Sequence, residues 1–94
     1  MLYAIHCLDH ANGVDLRLAN YDAHKAYLAA ASVQTVISGP LLGADGETMI
    51  GSLFVVRADD IEQVRAFNSN DPFAKANVWA RVDINPFNMR VDNR

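Results

Sequence analysis

The chain has 94 residues, of which 51% are apolar and 20% are charged, and its net charge is -3. This length and composition predict one folded globular domain, residues 1–94, with a modest core. Lys and Arg are not clustered, which argues against nucleic acid as a partner. No apolar run reaches the roughly 18 residues of a membrane span, and the N-terminus does not resemble a signal peptide, so we expect a cytoplasmic protein without a membrane partner.

The first two predicted elements are a strand and a helix. Residues 2–8 are apolar and precede the turn-prone sequence DHANG, which predicts a strand. The alanine-rich segment from Asn20 or Asp22 to Ser32 starts with an Asx residue and has apolar residues at helical spacing. It is therefore predicted to form the first helix.

The middle of the chain predicts a hairpin of two strands. Residues 33–40 are rich in β-branched side chains and are expected to end at Gly39-Pro40, and residues 48–56 form a second run of the same kind after the turn residues of LLGADGE. Strand three is apolar on both of its sides. One side carries Met49, Leu53 and Val55, and the other carries Ile50, Phe54 and Val56.

The last third of the chain predicts a helix and a strand. Residues 58–70 have apolar side chains at helical spacing, and Asp59 precedes Glu62 by three positions, as in a capping box. Residues 77–87 alternate in the manner of a strand. Between them, Asp71 precedes Pro72, which predicts a capped turn because Asx residues cap helices and proline suits the first helical position.

The predicted order β-α-β-β-α-β is typical of the ferredoxin-like α+β fold. In this fold an antiparallel sheet is covered by two helices on one face only. Because strand three is apolar on both sides, we expect the uncovered face to be an association surface. The sequence therefore predicts a homodimer in which the uncovered sheet faces pack together.

Few residues form a pattern of known chemistry. The sequence has no Gly-rich phosphate loop and no helical pair of His ligands, and His6, His10 and His24 match no familiar metal site, so neither a cofactor nor a metal is predicted. Cys7 lies in an apolar run and is expected to be a buried small side chain. His24, beside Asp22 near the start of the first helix, fits either a functional role or an exposed histidine without one.

Several short motifs occur in a specific order. LRLANYDAHKAYL contains Arg17 and His24, ISGPLL contains Gly39-Pro40, NDPFAKANVW contains Asp71-Pro72-Phe73, and INPF closes the last strand. Together with the N-terminal MLYAIHCLD, these motifs make the sequence similar to the YciI-like (YCII domain) family across nearly the whole chain.

The resemblance implies a fold, an assembly and a site. These are the ferredoxin-like fold, a dimer of the dimeric α+β barrel type, and a pocket with a histidine–aspartate dyad. The dyad falls on His24 and Asp71, and the family's arginine falls on Arg17. A few similar proteins act on chlorinated hydroxyhydroquinones or are compared with muconolactone isomerase.

Two function classes follow from these residues. In the first, a small cofactor-free enzyme uses His24, oriented by Asp71, to move a proton on a small cyclic or anionic metabolite, while Arg17 stabilises negative charge. Isomerisation, lyase-type elimination and hydrolysis are all compatible with such a site. In the second, the pocket binds a small metabolite without turnover, and the dimer is a sensor or accessory subunit. Both predict that His24 and Asp71 approach within roughly 2.6–3.2 Å, or share one water.

Overall fold

The computed structural model describes residues 1–94. The strands are β1 (Leu2–Asp9), β2 (Gln34–Leu42), β3 (Met49–Arg57) and β4 (Trp79–Phe87), and the helices are α1 (Val14–Ala19), α2 (Tyr21–Ala30), α3 (Ile61–Ser69) and α4 (Pro72–Lys75). The two predicted helices correspond to α2 and α3, and the short helices α1 and α4 lie just outside the predicted ranges. The predicted order of helical regions and strands is confirmed. None of the helices combines the length and hydrophobicity needed to cross a membrane.

One four-stranded sheet organises the fold, with the strand order β2-β3-β1-β4. All three pairs of neighbouring strands are antiparallel. The two central strands, β3 and β1, come from different halves of the chain, as they do in a split βαβ arrangement. The predicted ferredoxin-like α+β fold is therefore confirmed.

The helices pack on one side of the sheet, which we call the helix-covered face. On this side Ile5 pairs with Phe54, and Cys7 pairs with Ser52. These four residues are only 0% to 3% exposed. The apolar core on this face consists of Tyr3, Ile5, Cys7, Val33, Phe54, Val56, Ala58, Val64, Phe67, Phe73, Val78 and Trp79.

The other side of the sheet, which we call the open face, has no helix over it. Its large apolar residues with 36% to 44% exposure are Leu8, Ile37, Leu53 and Phe87. The C-terminal segment after β4 reaches the opposite edge of the sheet, where Arg94 Nη1 donates to the carbonyl oxygen of Val36 at 3.3 Å. Only part of the open face is therefore covered by the chain itself.

The predicted first helix corresponds to α2, whose N-cap is Asn20 as one of the two predicted starts had it, but its end is wrong and the preceding helix α1 was not predicted. Helix α1 begins at Val14, before the earliest predicted start, and Asn20 is both the C-cap of α1 and the N-cap of α2. The six residues of α1 are too few to show a helical repeat in the sequence. Helix α2 ends at Ala30 because Ala31 is already extended, with φ -67° and ψ 148°.

Two predicted strand boundaries also change. Strand β2 continues through Gly39 and Pro40 to Leu42, and Pro40 pairs with Ser52. Because β2 is an edge strand, the missing N–H of proline can face away from the sheet without loss of a ladder hydrogen bond. Strand β4 begins later than predicted, since Asn77 has a left-handed backbone with φ 61°.

The N-cap of α3 is Asp60, so the predicted pairing of Asp59 with Glu62 is wrong. The Asp60 side chain accepts from the Gln63 N–H at 2.9 Å, and Gln63 Oε1 accepts from the Asp59 N–H at 2.8 Å. This resembles a capping box formed by Asp60 and Gln63, except that the Gln63 side chain accepts from the residue before the N-cap. Of the two adjacent aspartates, Asp60 is the one that caps the helix.

Candidate active site

His24 lies on the buried side of α2, where it is the only buried residue of that helix. Its imidazole stacks on the ring of Phe73, with the centroids 4.0 Å apart and an angle of 11° between the planes. The ring of Phe54 contacts it edge-on, with the centroids 6.0 Å apart. The alternative of an exposed helix histidine is therefore wrong, and the two aromatic rings restrict the orientation of the imidazole.

Asp71 is fully buried and caps the short helix α4. Its Oδ1 accepts a hydrogen bond from the backbone N–H of Phe73 at 2.9 Å, and Pro72 occupies the first turn, as the sequence predicted. Both carboxylate oxygens lie 2.9 Å from Nδ1 of His24. The predicted approach of the two side chains is confirmed, and the same carboxylate serves the cap and the histidine.

The contact with Asp71 determines which nitrogen of His24 is free. An ionised carboxylate can only accept hydrogen bonds, so Nδ1 carries a proton in this pair. Nε2 has no hydrogen-bond partner in the chain and is not completely buried. In the neutral ring it therefore presents a lone pair that can take a proton from a bound molecule.

Arg17 lies on α1, and its side chain is buried rather than exposed to solvent. Its Nε donates to Asp9 Oδ2 at 2.8 Å, and its Nη2 donates to Asp9 Oδ1 at 2.9 Å and to Ser52 Oγ at 2.7 Å. The guanidinium carbon lies 4.6 Å from the centroid of the Phe73 ring. Nη1 has no partner in the chain and is not completely buried, so it can donate to a ligand.

Sequence reasoning missed three residues of this site, which are Asp9, Ser52 and Phe73. Asp9 and Ser52 hold the guanidinium of Arg17, and Phe73 contacts both Arg17 and His24. The pairing of strands β1 and β3 places Ser52 opposite Cys7 on the helix-covered face. A correct register for these strands would have indicated Ser52, but no pattern in the sequence links Asp9 to Arg17.

A pocket of about 230 Å³ opens beside these groups, between α2 and strands β2 and β3. Arg17, His24 and Ser52 contribute its inner polar groups, while Leu28, Met49 and Phe54 contribute apolar surface. This volume is below the usual range for drug-sized ligands, which begins near about 300 Å³, and suits a molecule with one ring or less. A small apolar pocket with a few convergent polar groups is typical of a binding or catalytic site.

Two further titratable groups lie close to Asp71 without lining the pocket. Burial raises the pKa of the Cys7 thiol to about 12, although the side chain of Asn68, 3.8 Å from Sγ, lowers it. Burial also raises the pKa of Tyr27, with a smaller contribution from the charge of Asp71. The Tyr27 hydroxyl donates to the carbonyl oxygen of Phe67 at 2.7 Å. Both groups are therefore structural, and Cys7 is the buried small side chain that the sequence predicted.

The other two histidines lie outside the site. His6 is exposed on the open face, opposite Leu53. Nε2 of His10 lies 3.4 Å from Oδ1 of Asn77 at the surface. The structure contains no group of three or more His, Cys, Asp or Glu side chains arranged to hold a metal ion.

Comparison with known proteins identifies the family. The model of the YCII-related domain matches residues 1–88. The chain belongs to the YCII-related domain family. Protein YciI of Escherichia coli and protein YciI of Shigella flexneri are each 28% identical to it over an alignment of 94 positions, which covers 93% of this chain and 96% of either relative. The resemblance drawn from the motifs is thus confirmed.

Two solved structures are similar to this fold. One is 5-chloro-2-hydroxyhydroquinone dehydrochlorinase (TftG) from Burkholderia phenoliruptrix in complex with 2,5-dihydroxybenzoquinone, with a TM-score of 0.86, 34% identity, and coverage of 94% of each chain. The other is Rv0793 from Mycobacterium tuberculosis, with a TM-score of 0.53 and 11% identity, covering 96% of this chain and 97% of that chain. The fold of the YCII-related chain is that of the dimeric α+β barrel proteins.

Proposed function

We propose that residues 1–94 form a small cofactor-free enzyme that uses His24 as a general acid/base on a small cyclic metabolite. The observation that carries this proposal is the 2.9 Å contact of His24 Nδ1 with both oxygens of the buried Asp71 carboxylate. That contact orients the ring and leaves Nε2 as the nitrogen available to a ligand in the pocket. Asp71 is a positioning residue in this scheme, since it acts through His24.

Arg17 is proposed to stabilise the negative charge that develops on the substrate. Its Nη1 is free, while Nε and Nη2 are held by Asp9 and Ser52. A donor that is already held in place costs little reorganisation when charge develops, which is the basis of electrostatic stabilisation in catalysis. The pocket is lined by both His24 and Arg17, which supports their action on one molecule.

Among the reactions compatible with the site, we propose lyase-type elimination. The support comes from TftG, which is 34% identical and is described as a dehydrochlorinase. Loss of HCl requires a base that removes a proton and donors that stabilise the anion until chloride departs. His24 Nε2 and Arg17 Nη1 are suited to these two tasks.

The test is chloride release from 5-chloro-2-hydroxyhydroquinone, measured without oxygen so that the substrate is not oxidised. We expect His24→Gln to lower the rate by roughly 10²–10⁴-fold, the usual contribution of a general acid/base. Asp71→Asn should lower it by about tenfold or more, because an amide can donate to Nδ1 and favour the wrong tautomer. His10→Gln is the matched control, since His10 lies at the surface outside the pocket.

The outcomes separate the two function classes. Turnover that survives His24→Gln at the wild-type rate would rule out the proposed role of His24. Binding of the substrate without turnover by the wild-type protein would instead favour a sensor or accessory subunit. Thermal unfolding of each variant would check that it is folded, so that lost turnover can be assigned to the chemistry.

We also propose that the protein acts as a homodimer in the cytoplasm. The open face supports the dimer, because it leaves Leu8, Ile37, Leu53 and Phe87 partly exposed, and apolar patches of this kind mark association surfaces. The buried and unpaired thiol of Cys7 is compatible with a reducing compartment.

A further inference from the structure

The two buried nitrogen-containing side chains of the site, Arg17 and His24, are already paired with carboxylates. Arg17 forms a bidentate ion pair with Asp9, and both side chains are 3% exposed. His24 is paired with Asp71, which is fully buried. Arg17 and His24 line the pocket, and each is therefore backed by a buried carboxylate rather than presented as a free cation.

The charges at the mouth of the pocket also cancel. Lys25 lies 3.7 Å from Asp22, and the two side chains are 57% and 98% exposed. Nζ of Lys25 is 4.7 Å from the ring centroid of Tyr21, which also lines the pocket. Solvent screens this exposed pair, so it adds little net positive field inside.

The net charge around the ligand position follows from these pairs. With His24 neutral, the ion pair of Arg17 and Asp9 cancels and Asp71 leaves one negative charge. With His24 protonated, the sum is zero. In neither state does the pocket offer a net positive charge, although Arg17 and Lys25 both contribute to its lining.

We propose that this pocket selects uncharged ring compounds with an acidic hydroxyl group, and that it excludes phosphate esters and other dianions. The inference deepens the proposed function, because it rests on His24 as the group that receives the proton. A dianion would lose its hydration without gaining a compensating charge, and such transfer into a low-dielectric site is costly. An uncharged phenol or enol avoids this cost when it enters.

Ionisation inside the pocket keeps the total charge constant. The O–H bond of the ligand breaks, an N–H bond forms on Nε2 of His24, and the electron pair stays on the ligand oxygen. The imidazolium then faces the Asp71 carboxylate, and the new oxyanion can accept from Nη1 of Arg17. No oxidant, reductant or second reactant is required for this step.

The test compares two compounds that share one ring, 4-nitrophenol and 4-nitrophenyl phosphate. Binding is measured by calorimetry at a pH at which free 4-nitrophenol is mostly un-ionised and the ester is a mixture of the mono- and dianion. We expect 4-nitrophenol to bind at least about tenfold more tightly than the ester. The free-energy cost of one uncompensated charge in a partly buried site is larger than the free energy that corresponds to a tenfold change in affinity. Its visible absorbance reports whether the bound molecule is the phenolate.

Each outcome bears on a different part of the scheme. Equal or tighter binding of the ester, or no measurable binding of 4-nitrophenol, would overturn the charge selectivity. Tighter binding of 4-nitrophenol that stays un-ionised would preserve the selectivity and contradict His24 as the proton acceptor in the proposed function.

A pair of variants provides a second measurement. Asp71→Asn removes the one uncompensated negative charge, so the ratio of ester to phenol affinity should rise by about tenfold or more. Asp22→Asn removes the same charge from the exposed mouth, where the change should be less than about threefold because of solvent screening. An equal shift in both variants would show that selectivity does not come from the buried pairs. Thermal unfolding would verify that both variants are folded.

Discussion

The two faces of the sheet are built from the same strands but differ in which groups they bury. The helix-covered face buries charged groups, whereas the open face leaves apolar groups exposed. On the helix-covered face, the carboxylates of Asp9 and Asp71 are buried, and each has a specific basic partner. On the open face, Leu8 and Leu53 each keep 36% exposure. Alternation along a strand therefore separates a protected polar site from an apolar surface that is suited to another chain.

The largest expected effect comes from comparing one ion pair on each face. Asp9→Ala leaves the buried guanidinium of Arg17 without its carboxylate, and should lower the free energy of unfolding by about 3–5 kcal/mol. Asp83→Ala removes an equally close partner of Arg81 on the open face, where the two side chains are 46% and 70% exposed. That change should cost no more than about 1 kcal/mol.

Urea unfolding of the two variants measures both quantities under one condition. Equal costs for the two aspartates would contradict the difference in burial between the faces. Arg81 and Arg17 donate from Nε to their carboxylates at 2.9 Å and 2.8 Å, so the shorter contact is matched, while the second contact, from Nη2, is 3.5 Å for Arg81 and 2.9 Å for Arg17.

The second expected effect concerns assembly through the open face. Leu53→Glu should convert a dimer into a folded monomer, because a carboxylate in an apolar interface would be desolvated without a partner. Sedimentation at micromolar concentration measures the change. The control is Leu18→Glu, since Leu18 is 53% exposed on helix α1 and away from the sheet.

A monomeric wild-type protein, or a Leu53→Glu variant that remains dimeric, would contradict the proposed assembly. The neighbouring Phe54 points to the helix-covered face and is buried in the core. Phe54→Glu should therefore prevent folding itself, and the contrast between adjacent positions tests the assignment of the two faces.

The smallest expected effect is the alkaline behaviour of Cys7 on the helix-covered face. Burial raises its pKa from 9.0 to about 12 in the folded chain, so the unfolded chain ionises first as the pH rises. The stability contributed by the protonated thiol is complete below pH 9.0 and is lost as the pH rises through the folded value near 12. The free energy of unfolding should fall less steeply across this range in Cys7→Ala.

Alkylation of the thiol gives a second measurement at Cys7. The native protein should react far more slowly than the denatured protein, since the thiolate is the reactive form and the side chain is fully buried. Rapid labelling of the native chain would show that this face opens to solvent more readily than its packing indicates.

Local patterns along the sequence determined much of the fold. The alternation of residues 48–56 predicted a strand with two apolar sides, and the dipeptide Asp71-Pro72 predicted the cap that the structure contains. His24 and Asp71 were identified through motifs that resemble a known family. Such features depend on neighbours in the chain, which is why they can be read without coordinates.

The tertiary structure decided the features that depend on contacts between distant or short segments. Helix α1 is too short to show a period, and the edge position of β2 allows a strand to continue through Pro40. The structure also shows that Asp60, and not the adjacent Asp59, caps α3.

The charge of the site also depends on contacts between distant segments, which the sequence alone does not show. The sequence alone presents Arg17 as a free cation suited to an anionic ligand, whereas the folded chain pairs it with Asp9 and Ser52. The pairing depends on α1 folding back against the end of β1, and on the register that brings β3 beside it. Burial makes the stability of each charged group depend on its partner, because moving a charge out of water is costly unless an opposite charge or hydrogen bonds compensate for it.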